Sequence, residues 1–162
     1  VVVMIRAYQE KDLPRVMEIW LACSVTAHRF IEESVWKNLY NTVVREYIPR
    51  AVTYVFEESG RVQGFISLFR ELSEQADSAK PEKDQAAMHI GALFVSPDAQ
   101  GEGVGSALLG LAKEKYQSLS LSIYIENKKA CRFYERQGFR TVSVGESDFK
   151  GHPQRLMRWT LE

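Results

Sequence analysis

Apolar residues recur along this chain with two periods, and the switches between them mark out its elements. Val2 to Tyr8 reads as a first strand. Asp12 can cap a helix in which Leu13, Val16, Met17, Trp20 and Leu21 form one stripe, with Pro14 tolerated in the first turn. Ala22 to Phe30 continues this helix or breaks it near His28. A second helix is predicted over Ser34 to Ile48, where Val35/Trp36, Leu39/Tyr40, Val43/Val44 and Tyr47/Ile48 return every four residues and Pro49 is expected to stop it. Ala51–Phe56 and Val62–Phe69 read as a hairpin joined at Glu58-Ser59-Gly60-Arg61. Leu72 to Gln85 is polar and reads as a surface loop.

A buried strand, Met88 to Val95, follows, then a turn at Ser96-Pro97-Asp98 and a glycine-rich run. Val104, Ala107, Leu108, Leu111, Ala112 and Tyr116 make the stripe of a third helix. Leu119 to Ile125 alternates as a strand, and Asn127 begins a short fourth helix ended by Gly138-Phe139. Arg140–Ser147 and Arg155–Leu161 are the last strands, separated by the turn Lys150-Gly151-His152-Pro153. This order predicts a mixed α/β sheet of six to seven strands with about four helices on its faces.

Composition narrows the classes of partner. The 162 residues are expected to form a single domain, 1–162, with Val1-Val2-Val3 read as an addition ahead of a natural start at Met4. Lys plus Arg and Asp plus Glu stand at 21 each, so no bulk charge draws the chain to nucleic acid or an anionic membrane. Cys23 and Cys131 lack metal-ligand spacing and read as buried thiols, so no metal is expected. With no apolar run of membrane-spanning length and no signal-peptide pattern, a cytoplasmic setting is the expectation.

The stretch that changes the picture most is His89 to Gly105, a strand feeding a glycine loop that opens a helix. Such a turn brings backbone N–H groups and a helix N-terminus toward an anion such as phosphate. A tight turn with no ligand would not need three glycines in Gln100-Gly101-Glu102-Gly103-Val104-Gly105. A dinucleotide fold would need further βαβ units, and a P-loop would need a terminal Gly-Lys-Ser/Thr.

Two patterns support a third reading. Gln100, Gly103 and Gly105 fit the spacing Gln/Arg-x-x-Gly-x-Gly/Ala, preceded by Leu93-Phe94-Val95-Ser96-Pro97. Further on, Asn127, Ala130, Tyr134, Gly138 and Phe139 fit Asn-x-x-Ala-x-x-x-Tyr-x-x-x-Gly-Phe. Together they resemble the GNAT superfamily of N-acyltransferases along the whole chain, which implies that family's mixed, mostly antiparallel sheet of six to seven strands flanked by about four helices. The segments around Trp20, His28–Ile31, His89–Val95 and Ser147–Pro153 resemble a bacterial branch of small GNAT proteins. Where that branch often has Tyr-Pro-Leu-Leu after its turn glycine, this chain has His152-Pro153-Gln154-Arg155-Leu156.

The resemblance implies an acetyl-CoA-dependent N-acetyltransferase acting on a primary amine of a small molecule or peptide by direct attack, as a monomer or homodimer. It implies acetyl-CoA contacts from Leu93, Phe94, Val95, Gln100, Gly101, Glu102, Gly103, Val104, Gly105, Ser106 and Asn127, with Gly91 and Ala92 keeping bulk low nearby. It places Tyr134 beside the sulfur as general acid. A helix from Asn127 would bring Asn127 and Tyr134 onto one face, and Asn127 is also a good N-cap. Many relatives carry a Glu on the strand five residues before the Asn; Ser122 stands there, so that base is absent. His89 and His28 are the candidate bases, with Glu32 or Glu33 as alternatives. Lys128, Lys129 and Arg132 either meet cofactor phosphates or solvate a helix face. The missing Glu leaves a competing possibility, an acyl-CoA-binding protein of the same fold without turnover.

Overall fold

The structure, a computed structural model, describes residues 2–71, 87–149 and 151–162. The predicted Leu72–Gln85 loop and Lys150 of the last turn lie outside the described residues. Seven strands form one mixed sheet in the order β1-β2-β3-β4-β5-β7-β6, accompanied by four helices among the described residues. The elements are β1 (Val3–Ala7), α1 (Leu13–Ala27), α2 (Glu33–Thr42), β2 (Val52–Glu58), β3 (Arg61–Arg70), β4 (Ala87–Val95), α3 (Val104–Lys115), β5 (Ser118–Tyr124), α4 (Lys128–Arg136), β6 (Arg140–Gly145) and β7 (Gln154–Thr160). The mixed, mostly antiparallel architecture expected from the sequence is the one observed.

The chain packs as two compact units, residues 1–68 with 92–110, and 69–91 with 111–162. In the first, β1, β2 and β3 pair antiparallel, and β2 and β3 turn on a two-residue loop between Glu58 and Arg61. Val16, Met17, Ile19, Val55, Phe65, Ile66 and Leu68 lie within 1% of full burial and form its core. In the second, β5 pairs antiparallel with β7, which pairs with β6, while β4 and β5 run parallel. Its core holds Leu119, Leu121, Phe139 and Met157.

Two expectations about helix ends are corrected. Asp12 does stand at the N-cap position of α1, but its carboxylate makes no capping bond there. Instead it accepts from the Gln9 backbone N–H at 2.8 Å and from both Arg6 Nη atoms at 2.8 and 2.9 Å. A short 3-10 turn, Glu10–Asp12, precedes α1, so Asp12 serves that turn's start.

Pro49 does not stop the second helix. After α2 the backbone widens into a π-helical turn, Val43–Tyr47, and resumes α-helical geometry over Ile48–Arg50. Two features of the sequence favour this. Proline lacks an N–H and crowds the carbonyl four residues back, a conflict that a wider turn relieves. A stripe that repeats strictly every four residues also drifts about 40° per step around an ordinary helix, and a wider turn under-rotates in compensation. Trp36, Tyr40, Val44 and Ile48 accordingly stay on the less exposed side, while Tyr47 is 48% exposed.

Candidate functional site

The exit of β4 is tied down from several directions within the first unit. The Ser96 N–H donates to the Gln63 carbonyl at 2.7 Å. Arg15, on α1, donates from Nε to the Val62 carbonyl at 2.9 Å and from Nη2 to Ser96 Oγ at 3.0 Å and Gln63 Oε1 at 3.3 Å. Ser96 Oγ in turn donates to Asp98, whose carboxyl is held below its usual range mainly by that bond. The Val95 carbonyl accepts from Cys23 Sγ at 3.1 Å and Gln100 Nε2 at 3.0 Å. Gln100, expected to touch the cofactor, is thus placed by its amide as a brace from loop to strand.

The glycine loop that follows is left-handed at two points, Gly101 with φ +83° and Gly103 with φ +87°. A Cβ at either would meet nothing within 4 Å. Glycine is therefore demanded by the backbone conformation, and among the described residues nothing crowds the loop at either point. The first helical bond of α3 here runs from the Ala107 N–H to the Gly103 carbonyl at 3.0 Å, so the amides of Val104 and Gly105 precede it and point out of the helix start. An anionic pyrophosphate suits that end of a twelve-residue helix. Gly103→Ala should strain the loop by about 1–2 kcal/mol, and a urea-unfolding midpoint below that of wild type checks this.

On β4, the parallel ladder with β5 covers Ala87–Ser118, Met88–Leu119 and His89–Ser120, and Ile90 to Val95 lie beyond it. Phe94 packs edge-on to Phe65 with ring centroids 6.0 Å apart. The expectation that Gly91 keeps space clear for a ligand is corrected, because the Phe69 ring takes that space: a Cβ on Gly91 would lie 2.4 Å from it.

His89 belongs to a polar cluster in the second unit. Its Nδ1 lies 3.0 Å from Ser120 Oγ, and Ser120, 1% exposed, donates to Glu71. Arg158 donates to both Glu71 oxygens, at 3.0 and 3.2 Å, and to Ser118 Oγ at 2.9 Å. Burial lowers the His89 pKa, with Glu71 opposing and Arg158 adding to the fall. His28 sits elsewhere, at the C-cap of α1 in the first unit. Its Nδ1 lies 3.0 Å from the Ser24 carbonyl, and its ring is 4.9 Å from that of Trp36. Burial lowers its pKa against the effect of that carbonyl.

Asn127 caps α4, its Oδ1 accepting from the Ala130 N–H at 3.3 Å. Tyr134, two turns on, is 7% exposed between Phe133 and Phe139, with centroids at 5.1 and 5.4 Å. Burial raises its phenol, so the hydroxyl stays protonated well above neutral pH. The helix ends as anticipated, the Phe139 N–H reaching the Tyr134 carbonyl at 3.0 Å.

Sequence reasoning missed Arg15, Glu71, Ser120 and Arg158. Only strand register could have found the last two, since Ser120 pairs with His89 on one side and Arg158 on the other. No helix among the described residues is long and apolar enough to cross a membrane.

Comparisons with known proteins give the family and the fold. Residues 13–139 match the acetyltransferase (GNAT) family. The chain is 30% identical over 158 residues to the peptidyl-lysine N-acetyltransferase YiaC of Escherichia coli K12, covering 98% of this chain and 97% of that protein. The solution structure of apo-form YjaB from Escherichia coli superposes with a TM-score of 0.74 at 25% identity, covering 100% of both chains. The structure of yncA from Salmonella typhimurium with its cofactor acetyl-CoA shares the fold, with a TM-score of 0.65 at 17% identity, covering 100% of this chain and 95% of that one.

Proposed function

The chain belongs to the GNAT acetyltransferase family and is an acyltransferase, and on that footing we propose that it moves the acetyl group of acetyl-CoA to the ε-amine of a peptide or protein lysine. The observation that carries the donor half is the open cradle of left-handed glycines leading into α3. The acceptor half rests on the full-length likeness to a peptidyl-lysine acetyltransferase.

In this reading, acetyl-CoA is the co-substrate and the amides around Gly101 to Ser106 hold its pyrophosphate. Leu93, Phe94 and Val95 line its arm, with only the backbone N–H of Val95 offered, because the carbonyl already serves Cys23 and Gln100. The lysine nitrogen forms a bond to the thioester carbon, and the C–S bond breaks with its electron pair going to sulfur. The nitrogen's proton passes to a base, and Tyr134 gives its phenolic proton to the departing thiolate. Its raised pKa keeps the donor protonated before each turnover.

Ser122 offers no carboxylate, which leaves the base to be assigned among the other candidates. We assign it to His89, since burial keeps that imidazole neutral and able to accept. His28 is assigned a packing role, because its Nδ1 serves the end of α1 and its ring stacks on Trp36.

The test is direct. Acetyl-CoA mixed with lysine-containing peptides should release free thiol and add one acetyl group to the lysine side chain, read by mass spectrometry. Acetyl-CoA binding without thiol release would overturn the enzymatic reading. Release with small amines but never with peptides would overturn the acceptor.

A further inference from the structure

From the cluster around His89 we infer that Ser120 and Glu71 are positioning residues, which fix His89 in the tautomer that carries its proton on Nδ1 and so leaves Nε2 as the accepting nitrogen. The inference rests on the assignment of His89 as base. Its ground is donor and acceptor accounting.

A carboxylate can only accept a hydrogen bond, so the Ser120 hydroxyl must be the donor toward Glu71. That commits its one hydrogen. The oxygen is left to accept, and the partner at 3.0 Å is His89 Nδ1, which must therefore donate. In the neutral ring the other nitrogen then holds the lone pair. Arg158 completes the arrangement by holding both oxygens of Glu71, at 3.0 and 3.2 Å, so the carboxylate cannot swing away from the serine.

The elements are rigid ones. His89 and Ser120 are register partners on β4 and β5, and Ser120 and Arg158 are register partners on β5 and β7. Glu71 follows directly on β3, with its N–H 3.4 Å from the Ala87 carbonyl. Ser120 is 1% exposed, so water does not compete for its hydroxyl. Among the described residues, the charged groups that act on His89 are Glu71, which favours its protonation, and Arg158, which opposes it.

The parts can be separated by substitution. His89→Gln removes the base and should lower kcat on the order of 10²-fold. Ser120→Ala removes the acceptor for Nδ1–H and lets the ring take either tautomer, which should lower kcat about tenfold with the KM for acetyl-CoA unchanged. Glu71→Gln keeps an oxygen for the serine to donate to but removes the negative charge. It should lower kcat less than Ser120→Ala does, and it should move the acidic limb of the kcat–pH profile to lower pH, because the group that favoured protonated His89 is gone.

Nitrogen-15 spectra of the imidazoles give a readout independent of turnover. The chain has three histidines, so the His89 signals are assigned by their loss in His89→Gln. The wild type should show Nδ1 protonated at neutral pH, and Ser120→Ala a mixture. A wild-type ring protonated on Nε2 would overturn the inference even if Ser120→Ala fails to fold. So would Ser120→Ala and Glu71→Gln variants with wild-type kinetics beside a crippled His89→Gln. A fully active His89→Gln would instead overturn the base assignment itself.

Discussion

Tyr134→Phe is expected to lower kcat by between about 10²-fold and 10³-fold while leaving the dissociation constant for acetyl-CoA within about twofold of wild type. The hydroxyl is asked to do one thing, protonate a departing thiolate, and that demand arises only in the transition state. Binding in the ground state should therefore survive its removal. Packing should survive too, because the ring keeps its contacts with Phe133 and Phe139. A thermal midpoint near that of wild type would confirm that the loss is chemical. If kcat is unchanged, or if acetyl-CoA no longer binds, Tyr134 is not the acid. The raised phenol adds a further expectation: the general acid should contribute no alkaline limb to the rate profile near neutral pH.

The largest effect on stability is expected at Asp12. Its carboxylate, 5% exposed, takes three hydrogen bonds, two from the Arg6 guanidinium and one from the Gln9 backbone. Asp12→Ala leaves Arg6 with Glu57 at 3.3 Å as its remaining carboxylate neighbour. Breaking a buried pair on one side costs about 3–5 kcal/mol, and the lower end applies because the Arg6 side chain keeps 17% of its exposure. Asp12→Asn should lose less, since its amide oxygen can still accept from Gln9.

The pH dependence has a definite sign. The Arg6 hydrogen bonds hold the Asp12 pKa below the ordinary carboxylate value, outweighing the opposing effect of burial. The stabilisation is thus fully present above the unfolded-state pKa of about 3.9, and it is lost as pH falls through the lower folded-state value. Urea unfolding at pH 7 should show the full gap between wild type and Asp12→Ala, and the gap should narrow below about pH 4. A gap that stays constant to pH 2 would show that the charge of Asp12 is not what stabilises.

Most of the scaffold could be read from the chain because its signals are local. The Asn127 cap, the Gly138 termination and the Glu58–Arg61 hairpin turn each depend on a few neighbouring residues. The four-residue stripe of the second helix was also visible, but its meaning was not. A strict period of four predicted a helix, and the widened turn that such a period favours became clear only from the backbone. Asp12 shows the opposite failure. The residue type announced a cap, yet an arginine on β1 claimed the carboxylate, and nothing within one helix could show that competition.

The candidate site was legible where chemistry follows a motif and illegible where it follows register. The glycine loop, Asn127 and Tyr134 stand at fixed spacings. Ser120, Glu71 and Arg158 come to His89 from positions 31 residues after, 18 before and 69 after it, brought together by strand pairing that alternation alone cannot align. Gly91 carries the same lesson at shorter range, because the ring that fills its missing Cβ belongs to another strand.

Among the described residues the parallel ladder between β4 and β5 has three register pairs. Three parallel pairs specify their alignment weakly by backbone hydrogen bonds alone, and a slip of β5 by one residue would turn Ser120 away from the face that carries His89. The side-chain bond from His89 to Ser120 forms only in the correct alignment. It therefore favours the docking of β5 that also sets Leu119 and Leu121 into the core.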